Sequence, residues 1–264
     1  MPEPYKWLAF GCTHAPITHE GYWLWLLKHI DDYQPDFLIH LGDALEATGA
    51  SRWEVKENQN PCVLNEFHAL EEQITNLNIV APKAKKVFIY GNHDSNLLHE
   101  ERVPKGMRKL VQHYWSEIQD GAMKDWHFPC HKYAHDQYWK LGQITFQHGG
   151  NTGSAHTDNH LFTQAIEYGV PNGLHVSAHT HAPVAPRQAR LGGSWLPYMV
   201  ANVGTGMDWK QAGYMDRASK AQWGRALIRG TVARNCVNKR ESWFGTRLWT
   251  AELLVHSWAS RNRF

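Results

Sequence analysis

The sequence predicts an α/β fold built on a parallel sheet covered on both faces. Two observations carry this. Apolar runs alternate with segments of helical spacing over residues 7–91, giving the order β-α-β-α-β. Five short polar motifs stand at the ends of such runs: Cys12-Thr13-His14, Gly42-Asp43, Gly91-Asn92-His93-Asp94, His148-Gly149 and His179-Thr180-His181. Strand ends bring remote parts of a chain to one edge of a sheet, where open α/β folds build their sites.

The elements follow in order. Trp7-Leu8-Ala9-Phe10 is a short apolar run stopped by Gly11 and reads as the first strand. Trp23, Leu26, Leu27 and Ile30 then recur at helical spacing, so residues 20–32 read as a helix that Pro35 stops. Phe37 to Leu41 is the second strand. Asn60-Pro61 reads as a helix start, a capping side chain followed by Pro at the first helical position. Val63, Phe67, Leu70, Ile74 and Leu77 line one face of that helix, and Lys86 to Tyr90 is the third strand. The polar, aromatic stretch at about 95–136 interrupts the rhythm. It reads as an inserted cap or flap beside the site, with one helix near 106–118. Tyr138–Leu141 and Ile144–Gln147 read as a strand pair turning at Gly142. Asn159–Tyr168 reads as a helix and Leu174–Ala178 as the strand that delivers His179 and His181. Tyr198–Val203, Arg225–Val232 and Thr246–Val255 read as further strands, with residues 205–223 a polar, Gly-rich loop.

A chain of 264 residues suits one well-buried domain. Its 42% hydrophobic and 20% charged content is that of an ordinary globular protein, and no apolar run approaches the 18 or so residues of a membrane span. The N-terminus lacks the basic start and apolar core of a signal peptide. Cys12, Cys62, Cys130 and Cys236 are widely spaced, with no C-x-x-C pair. They read as reduced thiols, which sets the expectation of a cytoplasmic protein. The net charge of +2 hides an asymmetry. Residues 1–186 carry 14 Lys+Arg against 21 Asp+Glu, and residues 187–264 carry 13 against 4. The basic strand region at about 205–264 is either a solvated face or a surface that attracts a polyanion such as nucleic acid.

The motif residues are metal donors. Asp43 follows a glycine that allows a tight turn, and its two oxygens can bridge two cations about 3.5–4 Å apart. Asn92 offers a neutral carbonyl oxygen. His148, His179 and His181 offer imidazole nitrogens, which suit Zn, Fe or Mn. An H-x-H pair just past a strand can place its two rings on different ions. Each motif alone is turn-like; together and in order they indicate a metal cluster.

The ordered set resembles the calcineurin-like metallophosphoesterase superfamily over residues 7–204, and Asn202-Val203-Gly204-Thr205 is similar to the Asn-x-Gly-Ser/Thr turn of that family. The resemblance implies a four-layer αββα sandwich of two mixed β-sheets flanked by helices. It implies two divalent metal ions (Mn, Zn or Fe), one held by position 12, His14, Asp43 and His181, the other by Asp43, Asn92, His148 and His179. It makes His93 the non-ligand group that stabilises phosphoryl oxygens or protonates the leaving alcohol, with Asp94 orienting it. The implied reaction is hydrolysis of a phosphate ester by a metal-bridged hydroxide.

Two positions depart from the family pattern. Ala178 stands where the family has Gly. Cys12 stands where it has Asp, which leaves three readings: a thiolate ligand that biases the first site toward Zn or Fe, a non-ligand, or an altered residue. Trp209, Lys210, Arg217, Lys220, Trp223 and Arg225 lie in or near one loop. They are expected either to hold and stack a nucleic-acid strand or to be partly core. The expected substrate is therefore a phosphodiester, nucleic acid among them. The alternatives are a nucleotide or protein phosphomonoester and, in another class, a non-catalytic metal-binding scaffold of the same fold.

Overall fold

In a computed structural model the residues described are 3–49, 62–98, 102–131, 134, 136–150, 156–191, 194–212, 220–238 and 248–258. The chain runs β1 (Tyr5–Phe10), α1 (Glu20–Tyr33), β2 (Phe37–His40), α2 (Val63–Val80), β3 (Lys85–Phe88), α3 (Asn92–Leu98), a 3-10 turn (Lys105–Met107) and α4 (Arg108–Asp120). It continues with β4 (Trp126–His127), β5 (Trp139–Leu141), β6 (Ile144–Phe146), α5 (Thr157–Tyr168), β7 (Leu174–Ser177), β8 (Val184–Leu191), β9 (Ser194–Asn202), β10 (Gly224–Val232), α6 (Arg234–Asn238) and β11 (Glu252–Trp258).

Two mixed sheets form. One has the order β11-β10-β1-β2-β3-β4 and the other β5-β6-β7-β9-β8. In the first, β1, β2, β3 and β4 are parallel, β10 pairs antiparallel with β1, and β11 pairs antiparallel with β10. In the second, β6, β7 and β9 are parallel, and β5 and β8 run antiparallel at its two edges. The pleat of the strands divides the core. Leu8, Phe10 and Leu38 face α1, α2 and α4 together with Leu26, Phe67, Leu70 and Trp115. Trp7, Ala9, Phe37 and Ile39 face the other way, onto Phe146, Val176 and Ala201 of the second sheet. On that sheet's far side α5 packs Leu161 and Ala165 against Ala189 and Val200. The result is the four-layer αββα sandwich. Both faces of the central strands are covered, which is why their sequences read as continuous apolar runs.

Local chemistry sets the helix ends. α1 starts where the His19 side chain accepts from the Tyr22 amide, and it ends at Gln34, whose φ of 47° takes it out of the helix just before Pro35. Its buried face is Tyr22, Leu26 and Ile30, with Trp23 and Leu27 half-buried beside them. α2 buries the five expected residues, and its N-cap is Cys62. Asn60 and Pro61, expected to start this helix, lie outside the described residues.

The segment 95–136 differs from its expectation as a cap. Its helix, α4, buries Val111, Trp115 and Ile118 in the first core, and β4 extends the first sheet beside β3. This part of the segment is core because its apolar face at helical spacing is buried against α2 and β3. Strand β8 was not legible in the sequence. Pro186, Arg187 and Arg190 break its apolar pattern, and it tolerates them as an edge strand. Among the described residues no helix is long and apolar enough to cross a membrane.

Glu66 carries a pH-dependent strain on this fold. Burial pushes its carboxyl up to about 7, although the Gly49 amide donates to Oε1 at 2.9 Å. The unfolded chain releases this proton near 4.5 and the folded chain near 7. The folded state therefore binds more protons in that window, and its stability falls as pH rises from 4.5 toward 7, by about 3 kcal/mol. Glu66→Gln retains an acceptor for Gly49. It is expected to match the wild type in denaturant midpoint at pH 4.5 and to exceed it at pH 8, both measured on metal-free protein.

Candidate metal centre

The motifs converge above the ends of β1, β2, β3, β6 and β7. Ligand atoms of Cys12, His14, Asp43 and His181 all lie within 4.8 Å of one another, and so do those of Asp43, His148 and His179. Asp43 belongs to both groups. Asn92, the first residue of α3, brings Oδ1 to 3.2 Å from His148 Nε2. The seven predicted donors are therefore in one place, and Cys12, His14, Asp43, His148 and His181 are buried.

The backbone at these residues is unusual. Cys12, His14, Asp43, His179 and His181 all have left-handed φ, between 49° and 64°. A non-glycine residue there is uncommon and costs about 1 kcal/mol or more. Five such residues in one cluster mark a site whose side-chain directions override local preference. Two glycines make room for it. A Cβ on Gly42, at φ +85°, would lie 2.2 Å from the Gly91 amide nitrogen, and one on Gly91 would lie 2.1 Å from Asp43 Oδ1. Ala178 does not share the left-handed conformation of His179 and His181, so the glycine usual in the family is not required here.

Hydrogen bonds fix which ring nitrogens face inward. His14 Nδ1 donates to Glu46 Oε2 at 2.7 Å, leaving the Nε2 lone pair toward His181 Nε2 at 3.2 Å and Asp43 Oδ2 at 4.0 Å. His148 Nδ1 donates to the Leu41 carbonyl at 2.5 Å, leaving Nε2 toward Asp43 Oδ2 at 3.2 Å and Asn92 Oδ1. With the rings neutral, acceptors face acceptors, an arrangement that calls for positive charge between them, whether a cation or a proton on His148 Nε2. His179 Nδ1 is buried without a hydrogen-bond partner among the described residues. A buried polar atom left this way is destabilising by about 1–3 kcal/mol unless a ligand completes it. The donor set, imidazole, carboxylate, amide oxygen and thiol, fits Zn, Fe or Mn.

The titrations agree. Burial opposes ionisation of Asp43, but His148, His93 and His14 outweigh it and hold the carboxyl well below its ordinary value. Burial also opposes protonation of His148, and Asp43 outweighs it and raises the imidazole. Burial and the nearby Asp43 push the Cys12 thiol well up, so the metal-free thiol is neutral. Its Sγ accepts from the His179 amide at 3.3 Å. Burial lowers His179 to about 3 and pushes His181 down as well, keeping both neutral and available as ligands.

His93 and Asp94 separate in role. His93 Nδ1 donates to the Glu46 carbonyl at 2.8 Å and lies 3.8 Å from Glu46 Oε2. Burial would lower it, but Asp43 and Glu46 push it up to about 9. Its side chain is 23% exposed, whereas those of His14 and His148 are at most 1% exposed, so it lies further toward solvent than those two donors. Asp94, expected to orient His93, does something else. Its carboxylate accepts from the backbone amides of Asp43, Ala44, Leu45 and Gly91 at 2.7–3.1 Å. The physical reason is position: two residues into α3, Asp94 points under the β2 turn and clamps it, while the Glu46 carbonyl orients His93. Asp94→Ala leaves four buried amides without acceptors and is expected to lower stability by about 3–5 kcal/mol. Chemical denaturation of the metal-free protein measures this.

Sequence reasoning missed Glu46. Its signal was the spacing: an acid three residues after Asp43, on the same strand-end turn. A carboxylate on the far nitrogen of a ligating histidine fixes the tautomer and raises basicity. The Asn202–Thr205 turn is a brace. Asn202 Nδ2 donates to the Ala178 carbonyl, and Thr205 Oγ1 and the Gly206 amide both donate to the Cys12 carbonyl. The residues of the aromatic loop follow the second of their two expectations and are partly core. Trp209, Trp223 and Arg225 are buried; Trp223 meets the His181 ring edge-on at 4.4 Å, and Arg225 stacks on Trp209. Lys220 donates to the carbonyls of Trp209 and Ala212. These rings pack the floor of the site, because their faces are covered by Met207, Ala212 and Ile17 and by Arg225, and offer no open stacking platform. Arg217 lies outside the described residues.

The sequence matches the model of the calcineurin-like phosphoesterase family over residues 5–198. The chain belongs to that family. No curated protein matches it. Similar solved structures include YfcE, a phosphoesterase from E. coli, at 16% identity and TM-score 0.43, covering 92% of this chain and 99% of that one. Vps29 of Entamoeba histolytica complexed with Zn2+ aligns at 12% identity and TM-score 0.40, covering 95% and 98%. The nuclease MPE of Pseudomonas putida aligns at 15% identity and TM-score 0.36, covering 76% and 74%.

Proposed function

We propose that the chain hydrolyses phosphodiesters, with one metal ion held by Cys12, His14, Asp43 and His181 and the other by Asp43, Asn92, His148 and His179. The observation that carries the reading is the sharing of Asp43 between two donor groups. Divalent cations bound there would supply Lewis acidity and a water ionised at neutral pH. The protein's own groups do the rest. Asp43 and the imidazoles fix the place of the phosphoryl group, and Glu46 holds His14 and His93 in register. Protonated His93, on the open side, donates to a phosphoryl oxygen or to the departing alcohol.

The preference for a diester rests on charge. A monoester brings a second negative charge that needs a further cation. Of the arginines flanking the site, Arg225 pairs with Asp208 and Arg187 with Asp158. The excess of Lys and Arg over residues 187–264 also favours a polyanionic substrate such as nucleic acid. The four cysteines are free, and Cys12 ligates only when reduced, which supports a cytoplasmic setting. The scaffold alternative is disfavoured by the completeness of the donor set and by the placement of His93.

The test is hydrolysis of bis(4-nitrophenyl) phosphate and 4-nitrophenyl phosphate with Mn, Zn, Fe, Ni or Mg. The diester is expected to turn over with kcat/KM at least about tenfold higher than the monoester. No turnover of either with any metal would make the chain a scaffold, and a monoester preference would make it a phosphatase.

A further inference from the structure

A cavity of about 650 Å³ opens beside the metal centre, between the start of α5, the start of β8, residues 221–222 and the end of β11. It starts one residue from a ligand on one side: Ala182, in its wall, follows His181 directly. On another side Gln222 precedes Trp223, the ring that meets His181, and the Gly224 amide donates to the His181 carbonyl at 3.0 Å. Gly224 shapes the wall. A Cβ there would lie 2.7 Å from Pro183 Cγ and 2.9 Å from Trp258 Cε3, so the missing side chain lets the proline ring and the indole close in together.

The lining chemistry is mixed in a particular way. Ala182, Pro183, Val184 and Trp258 give an apolar, partly aromatic surface. Gln222 brings a carboxamide with both donors and an acceptor. Asp158 and Arg187 bring opposite charges that pair with each other. Their charges cancel, so the cavity is not an anion site and does not take a second phosphate. An acyl chain would leave the Gln222 amide unused and gain nothing from the charged rim. A neutral planar heterocycle with donors and acceptors on its edge and an apolar face matches all of these, and the volume is in the range of small-ligand pockets.

We propose that this cavity is a nucleobase subsite, holding the base of a nucleotidyl phosphodiester while its phosphate lies at the Asp43 centre. The second half of this statement rests on the phosphoesterase reading; the first half does not. The base can belong to a small nucleotide ester or to a nucleic-acid strand, and the chemistry of recognition is the same.

The experiment has a binding arm and a kinetic arm. Ala185 and Gln222 are exposed at the cavity wall, so Ala185→Trp, which fills it, and Gln222→Ala, which removes its amide, leave the core intact. Calorimetry measures binding of thymidine and adenosine, which carry no phosphate. The wild type is expected to bind at least one of them, and each variant at least about tenfold more weakly, the scale of one stacked base. The kinetic arm compares thymidine 5′-(4-nitrophenyl phosphate), a single-stranded oligonucleotide and methyl 4-nitrophenyl phosphate. Ala185→Trp is expected to lower kcat/KM about tenfold on the nucleotidyl ester and to leave the methyl ester within about twofold. A matching loss on the oligonucleotide assigns the subsite to strands; a loss on the small ester alone assigns it to nucleotides. Nucleosides that do not bind, or that bind the filled variant as well as the wild type, overturn the subsite. Nucleosides that bind and are lost on filling, in a protein that hydrolyses none of the three esters, sustain the subsite and overturn the phosphoesterase reading.

Discussion

Asp43→Asn is expected to reduce kcat/KM on a phosphodiester by on the order of 10³-fold, about 4 kcal/mol of transition-state stabilisation, and to lower bound metal from two ions to one or none. The replacement keeps shape, and its amide oxygen still accepts from the His93 amide as Oδ1 does at 2.8 Å. It removes the one charge that serves both donor groups. The metal-free variant should remain folded but melt lower at pH 7. The folded-state pKa of Asp43 is depressed, so its ionisation adds stability above the unfolded carboxylate value and that gain disappears as pH falls through the folded value. Wild type and variant should therefore converge in acid. Added Zn or Mn should raise the melting temperature of the wild type far more than that of the variant, because the increment depends on affinity. A variant that retains two ions and full turnover would show that no carboxylate bridge operates here.

The places where the sequence was legible share one physical property. β1, β2, β3, β6 and β7 are covered on both faces over most of their length, so their runs are mainly apolar, and the clustered donors that follow them stand out at the boundaries. What hid were features set by tertiary position. β8 is an edge strand, and its Pro186 and arginines look like loop. Gly91-Asn92-His93-Asp94 reads as a turn, yet Asn92 opens α3, and the first turn of that helix aims Asp94 beneath the backbone of residues 43–45. A helix near 106–118 was legible, but not that Val111, Trp115 and Ile118 would form an apolar face buried in the first core. The tryptophans of the 205–223 loop illustrate the same limit, since an indole next to lysines and arginines reads alike whether it stacks on a ligand or, as Trp223 does, packs edge-on against His181. Left-handed φ at five donors is beyond any local signal, because no glycine announces it.

Cys12→Asp is expected to keep two ions bound and to move the metal preference toward Mn. The ratio of Mn-supported to Zn-supported kcat/KM should rise by about tenfold or more, equivalent to about 1.4 kcal/mol. The native thiol is buried beside Asp43, which together push its ionisation up, and only a strongly thiophilic cation offsets that. Zinc or iron binding to the wild type must therefore release the thiol proton, whereas an aspartate is already ionised at neutral pH. Affinity for Zn should consequently rise more steeply with pH in the wild type than in the variant. The backbone suits the change, since an aspartate tolerates the φ of 51° at position 12 better than most residues, and the His179 amide would donate to a carboxylate oxygen in place of sulfur. Zn absorption spectra should show a Zn–S distance of about 2.3 Å in the wild type that is lost in the variant. If metal content, preference and spectrum are all unchanged by the substitution, Cys12 is not a ligand, and the first ion is held by His14, Asp43 and His181 alone.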